Sequence, residues 1–186
     1  TRTGEICHTG IVEVIGNGWI QTIEGNAQNM VGRHVYNNGD RYEGNFANGL
    51  RNGHGVYIFA DGNRYDGDWK DNKRTGKGTC SWPNGDKYVG DFLNGKMHGR
   101  GVYHYANGNK YDGDWKDDNR TGKGTFTWPN GENYVGDFVN DKLQGRGVYS
   151  FASGNKYDGD WKDDRRTGKG TFTWASGDKY IGALTF

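Results

Sequence analysis

Tyr88-Val-Gly-Asp-Phe-Leu-Asn-Gly-Lys-Met-His-Gly-Arg-Gly-Val-Tyr-His-Tyr-Ala-Asn-Gly-Asn-Lys110 is one complete copy of the repeat that decides this fold. Tyrosine recurs at positions 42, 65, 88, 111, 134, 157 and 180, always 23 residues apart, and glycine follows two places later each time, from Gly44 to Gly182. A unit this short cannot enclose its own core, so neighbouring copies must cover one another. The chain therefore reads as one repeat array and not as several domains.

A longer period lies over the first. The units beginning at Tyr65, Tyr111 and Tyr157 share Tyr-Asp-Gly-Asp-Trp-Lys-Asp and Arg-Thr-Gly-Lys-Gly-Thr, whereas those at Tyr42, Tyr88 and Tyr134 carry Phe for Trp and continue Gly-Val-Tyr. Residues 111–133 and 157–179 agree at 18 of 23 positions, so the array alternates in type with a true period of 46 residues.

Composition points the same way. With 34 glycines and 32% hydrophobic residues in 186, the chain lacks the makings of an ordinary buried core, yet aromatics supply 15% of it at regular places. Disordered chains are depleted in such residues, so order is expected. A formal net charge of +1 argues against strong steering toward nucleic acid, and no reading motif for it is present. Neither a long apolar run nor a leader is visible, and Cys7 and Cys80 are too few for a disulfide scaffold. These features favour a cytoplasmic protein, at a membrane surface or on the cytoskeleton in the alternative readings.

Within a unit, Tyr111, Gly113 and Trp115 fall on one side of a strand and Asp112, Asp114 and Lys116 on the other; Gly124, Phe126 and Trp128 repeat the pattern opposite Thr125 and Thr127. Two strands per unit follow, with all aromatics on one face. Glycine lets large rings lie over the backbone. The Asn-Gly pairs in Pro129-Asn130-Gly131 and Ala106-Asn107-Gly108 predict tight hairpin turns, and Asp117 to Lys123 a longer charged loop, so one sheet edge should carry tight turns and the other long loops. The expected fold is all-β, an elongated, single-layer, twisted antiparallel sheet of tandem hairpins. Residues 1–41 read as an N-terminal cap with a degenerate repeat, in which Ile11 to Ile15 and Trp19 to Ile23 alternate as strands; residues 42–186 read as six full repeats and one partial. The partial unit from Tyr180 leaves a C-terminal edge open to self-association.

The pattern Tyr-x-Gly-x-(Trp/Phe), then Gly-x-Gly, then Gly before the next Tyr resembles the MORN (membrane occupation and recognition nexus) repeat family over residues 32–186. The resemblance implies a ribbon of β-hairpins with an aromatic-lined groove and a non-catalytic scaffold that tethers proteins to membranes, binds partner peptides or helices, or builds cytoskeletal and axonemal assemblies. The eighth place of the motif, Gly49 and Gly95 here, is instead Asn72, Asp118, Asp141 and Asp164 in other copies, which puts the family's loop conformation in question.

Catalysis finds little support. His8, His34, His54, His98 and His104 do not recur at equivalent places, and no Cys or Ser recurs beside them. Asp112, Asp114 and Asp117 resemble a hard-cation loop superficially, but an EF-hand needs Glu where Lys123 stands, so a solvated face is the better reading and no metal or cofactor is expected.

Two surfaces remain. The first is a partner-binding groove of Tyr65, Trp69, Trp82, Tyr88, Phe92, Tyr111, Trp115, Trp128, Tyr134, Phe138, Tyr157, Trp161 and Trp174. A single-layer sheet should cover only one side of each ring, and exposed aromatic area marks binding surfaces. The second is a ridge of anion-binding loop residues, Lys73, Arg74, Lys77, Arg120, Lys123, Arg165, Arg166 and Lys169, recurring about 19 Å apart. Interleaved Asp71, Asp117, Asp118, Asp163 and Asp164 weaken its field. The leading reading is a scaffold that receives an extended or helical segment of a partner protein. Behind it come a tether to anionic membrane lipid, carbohydrate recognition by exposed rings, and last an enzyme.

Overall fold

The computed structural model describes residues 12–16, 19–23 and 29–183. Cys7, His8, most of the expected N-terminal cap and residues 184–186 lie outside the described residues. Two compact units divide what is described. The first holds β1 (Val12–Gly16), β2 (Trp19–Ile23), β3 (Asn29–Val35), β4 (Arg41–Ala47), β5 (Leu50–Ile58), β6 (Arg64–Lys70), β7 (Lys73–Ser81) and the end of β8 (Lys87–Leu93). The second holds the start of β8, then β9 (Lys96–His104), β10 (Lys110–Lys116), β11 (Asn119–Thr127), β12 (Asn133–Val139), β13 (Lys142–Ser150), β14 (Lys156–Lys162), β15 (Arg165–Thr173) and β16 (Lys179–Ala183). The fold is all-β. Strands β3 to β16 follow one another in chain order in one antiparallel sheet without crossovers, while β1 and β2 pair as a separate hairpin.

In the second unit, Tyr111 shows how the repeat closes. Its strand neighbour Gly113 pairs with Gly124, and the phenol ring lies over both glycines. A Cβ at Gly124 would stand 2.5 Å from the ring's Oη and Cε2. The hydroxyl donates to the Asp114 carbonyl at 3.0 Å, and this bond recurs from Tyr134 to Asp137 and from Tyr157 to Asp160. The first unit repeats it from Tyr42 to Asn45 and from Tyr65 to Asp68. All of these tyrosines are fully buried.

Just past the glycine pair, the register jumps from Gly113↔Gly124 to Asp114↔Thr121, leaving Gly122 and Lys123 in a bulge. The Asp114 carboxylate fills it, accepting from the Lys123 backbone N–H at 2.9 Å. Asp68, Asp137 and Asp160 do the same for Lys77, Arg146 and Lys169. The acid that the sequence places on a solvated face is therefore also a clasp on the backbone.

The two kinds of connection are the reverse of those expected. Asp117 and Asp118 have φ of 50° and 70° and form a two-residue type I′ turn, so the residues from Asn119 onward pair as strand β11 and not as a long loop. The Asn-Gly connection is the longer one. Residues 128–132 are closed by Gly131 N–H donating to the Trp128 carbonyl and Trp128 N–H to that of Glu132, with only the glycine at positive φ. Adjacent aspartates tolerate the left-handed region, whereas Asn130 here needs no such conformation.

The non-glycine residues at the eighth place keep the turn and strengthen it. Asn72, Asp118, Asp141 and Asp164 hold φ of 65°, 70°, 68° and 65°. Each side-chain Oδ1 accepts a backbone N–H from the hairpin before: from Arg51 at 2.9 Å, Met97 at 2.8 Å, Arg120 at 2.9 Å and Leu143 at 2.8 Å. Glycine has no atom to do this.

Alternation over 46 residues also has a physical cause. The indole N–H of Trp69, Trp115 and Trp161 donates to the carbonyl of Gly55, Gly101 and Gly147, a bond that phenylalanine cannot make. A second alternation accompanies it. Tyr57, Tyr103 and Tyr149 donate their hydroxyls to Asp40, Asp86 and Glu132 at 2.6, 2.9 and 2.7 Å. Where Phe126 and Phe172 have no hydroxyl, the acid's place is taken by Asn109 and Asn155.

The acids give a pH dependence. The Tyr57 hydrogen bond holds the Asp40 carboxyl below its ordinary range, and the Tyr149 bond does so for Glu132. Burial in turn pushes Tyr57 up to about 12. Because the folded values of the two acids are depressed, their stabilisation is fully present above the ordinary carboxylate range, near pH 4, and is lost as pH falls from there through the lower folded values. The melting temperature should hold steady from pH 7 to 5 and drop below about pH 4. Tyr57→Phe with Tyr149→Phe should flatten that drop; an unchanged acid profile in the double variant would remove the two bonds as its cause.

Candidate partner-binding surface

The aromatic ladder expected to form a groove is largely core. Tyr65, Trp69, Tyr88, Phe92, Tyr111, Trp115, Tyr134, Phe138, Tyr157 and Trp161 are buried, and of the predicted set only Trp82, Trp128 and Trp174 reach solvent, Trp174 being 43% exposed. The expectation that each ring keeps one side open is thus corrected. Two things close the ladder. Rings stack edge to face along it: in the second unit Trp115 lies against Tyr111 and Tyr88 at 5.2 and 5.3 Å between centroids, and Phe138 against Tyr111 and Tyr134 at 5.0 and 5.3 Å. Arginines then roof it: the Arg120 guanidinium sits 5.2 Å from Phe126 and 5.7 Å from both Tyr111 and Phe138. Arg51 covers Trp69 and Tyr57 in the first unit, and Arg166 covers Tyr157 in the second.

The anion-binding ridge is divided by the same geometry. Arg74, Arg120 and Arg166 turn to the aromatic face, where Arg120 also pairs with Asp141 at 3.0 Å and Arg74 donates to the Gly95 carbonyl. Lys77 and Lys123 turn to the opposite face and pair with Asp91 at 2.5 Å and Asp137 at 2.6 Å. Lys73, Arg165 and Lys169 remain exposed. The eight residues do not form one basic ridge.

A second tier of rings, two places beyond the Tyr or Phe of each unit's later strand (Cys80 in the case of Trp82), borders the roofed ladder: Phe59, Trp82, Tyr105, Trp128, Phe151 and Trp174. Phe59, Tyr105 and Phe151 are half-buried and were not among the expected groove residues, although their spacing with the tryptophans was readable. In the second unit, Trp128 rests on Phe126 and Tyr149 with centroids 4.6 and 5.2 Å apart. Around it opens a cleft of about 380 Å³, floored by Phe126, Leu143, Tyr149 and Trp161 and rimmed by Arg120, Asp141 and Asp164. Larger concavities, of about 710 and 520 Å³, lie on the opposite, charged face of the first and second units. The smaller aromatic cleft is the better match to a protein-binding hot spot, since its floor is apolar and its rings are fixed in place.

At the edge strand β16, Tyr180 and Ile181 are 46% and 78% exposed. Among the described residues no group of three or more His, Cys, Asp or Glu side chains is placed to hold a metal ion. His54 pairs with Asp66 at 3.1 Å, on the charged face.

Comparison with known proteins agrees with this geometry at the level of fold. The family described as MORN repeat matches residues 42–64, 65–87, 88–110, 111–132, 134–156 and 157–179. No curated protein matches the sequence. Among solved structures, the chain is similar to the G-box domain of the microcephaly protein CPAP, with 11% identity, coverage of 95% of this chain and 100% of that one, and a TM-score of 0.50. It also matches the SAS-4 (dCPAP) TCP domain of Drosophila melanogaster, solved with a proline rich motif of Ana2 (dSTIL), at 18% identity, 89% and 78% coverage and a TM-score of 0.42. The TCP10 domain of Danio rerio CPAP, solved with a STIL peptide, matches at 12% identity, 94% and 84% coverage and a TM-score of 0.37.

Proposed function

We propose that this chain, which belongs to the MORN repeat family, is a non-catalytic scaffold that receives an extended or helical segment of a partner protein on its aromatic face. The observation that carries this reading is the cleft around Trp128, where a partly exposed indole stands above a floor of immobile rings between charged rims. Apolar side chains of the partner enter over Phe126 and Tyr149, and Arg120, Asp141 and Asp164 set its orientation. The buried tryptophans support the floor and do not meet the partner. Trp128→Ala with Trp174→Ala should therefore abolish retention of a partner in an affinity pull-down while circular dichroism stays unchanged. Lys116→Ala with Lys162→Ala, on the other face, should leave retention intact. Equal retention by all three proteins would overturn the assignment, and retention by anionic vesicles alone would replace the protein segment with a lipid surface.

A further inference from the structure

The concavity on the charged face of the first unit is where this chain departs from its own repeat. It measures about 710 Å³ and is built on β3, β4, β5 and β6, with the paired glycines Gly44 and Gly55 in its floor. Several of its lining positions break the pattern: Val31 and His54 stand where later copies carry Lys77, Arg100, Lys123, Arg146 and Lys169, and two further changes shape the hollow itself. The place held by Asp68, Asp91, Asp114, Asp137 and Asp160 in later copies is Asn45 here, so one negative charge is missing. The place held by Ser81, His104, Thr127, Ser150 and Thr173 is Ile58, so one polar side chain has become aliphatic. Both changes open into the same hollow. Ile58 joins Val56 and Val31, the last 51% exposed, in an apolar patch that solvent would otherwise meet.

The charges around the patch are unequal as well. Arg33 pairs with Glu43 at 2.8 Å and Arg64 with Asp66 at 2.7 Å, but Arg41 has no acidic partner among the described residues. The corresponding hollow of the second unit differs. There Arg100 pairs with Asp114 at 3.2 Å, Lys123 with Asp137 at 2.6 Å and Arg146 with Asp158 at 3.2 Å, and each cation is answered. With Arg33 and Arg64 paired and His54 beside Asp66 at 3.1 Å, Arg41 is the cation left unanswered at the rim of an apolar hollow that has gained an aliphatic side chain and lost the acid of later copies.

We propose that this hollow is a second partner site, which takes an extended acidic segment of another protein. Alternate aliphatic side chains of the segment enter between Val31, Val56 and Ile58, and a carboxylate of the segment pairs with Arg41. The site is separate from the cleft at Trp128, since it lies in the other unit and shares no lining residue with it.

The test uses the full chain and a fluorescein-labelled hexapeptide of alternating leucine and glutamate, followed by fluorescence anisotropy beside glutamine and lysine versions of the same peptide. The decisive variant is Asn45→Asp with Ile58→Ser, which restores residues that other copies carry at these places and so preserves the fold. Asn45 already occupies the bulge as Asp68 does, its Nδ2 standing 2.8 Å from where a Gly53 Cβ would be. Binding of the glutamate peptide should weaken about tenfold in the double variant and about fivefold in Arg41→Gln, and fade as salt rises. The proposal is overturned if the parent does not bind the glutamate peptide, if the glutamine or lysine peptide binds as well, or if the double variant binds like the parent. Sedimentation on the same samples decides the other occupant: self-association by the parent that the double variant loses would assign the hollow to a second copy of this chain.

Discussion

Gly124→Ala is expected to lower stability by about 3 kcal/mol, the upper end of the usual cost of overfilling a packed site. The added methyl would stand 2.5 Å from Tyr111 Oη and Cε2, closer than real carbon atoms approach. Relief requires the phenol to lift, and it has nowhere to go. Trp115 and Phe138 meet it edge to face on two sides, Arg120 lies above it, and its hydroxyl is tied to the Asp114 carbonyl. Gly131→Ala is the matched control. Nothing lies within 4 Å of a Cβ there, but φ is +88°, so the penalty is conformational and about 1–2 kcal/mol. The midpoint of chemical denaturation should therefore move much further for Gly124→Ala than for Gly131→Ala. The reverse order would mean that the glycines serve backbone freedom and not the tyrosine ladder.

Trp161→Ala should cost about 3–5 kcal/mol and Trp161→Phe about 1–2 kcal/mol. The indole is 7% exposed and touches three tyrosines, Tyr134, Tyr149 and Tyr157, with centroids 5.2, 6.1 and 5.4 Å away. Removing it leaves a void between fixed rings. Phenylalanine keeps most of that contact but not the Nε1–H bond to the Gly147 carbonyl at 3.0 Å. The difference between the two variants therefore separates filling from bonding. If both cost the same, the hydrogen bond alone is what holds the strands in place, and the packing of the indole against the three tyrosines contributes nothing measurable. For the same reason, loss of partner binding in Trp161→Ala would say nothing about the surface.

Much of this was readable because two periods, 23 along the chain and 2 along each strand, fix which residues share a face. Tyr111, Gly113 and Trp115 could be placed together from spacing alone, and the need for glycine under the ring followed from size. The turns were harder. Asp117-Asp118 looks like the start of a loop and Asn130-Gly131 like a hairpin, and only the backbone angles show the opposite. Polar residues such as Thr121 satisfy a strand as readily as a loop when both faces of that strand have partners. The bulge at Gly122 and Lys123 is equally silent in the sequence, since the carboxylate that fills it belongs to Asp114 on another strand.

The candidate site was half legible for a related reason. Counting aromatics identifies a ladder, but whether a ring is covered depends on long side chains that reach it from elsewhere. Arg120 and Arg166 belonged by sequence to a charged edge, yet the strand alternation that follows the type I′ turn folds them over the rings. Trp128 and Trp174 stand at the longer turn, where Arg120 borders the Trp128 cleft and roofs Phe126 beneath it, so both indoles keep solvent exposure.

That distinction is open to direct measurement by hydroxyl-radical footprinting read out by mass spectrometry on the native chain. Fast oxidation is expected at Trp82, Trp128 and Trp174 and at least about tenfold slower oxidation at Trp69, Trp115 and Trp161, which are 4–7% exposed. A bound partner should then protect Trp128. Equal rates at all six would mean that the ladder is an open groove and not the core on which the outer rings stand.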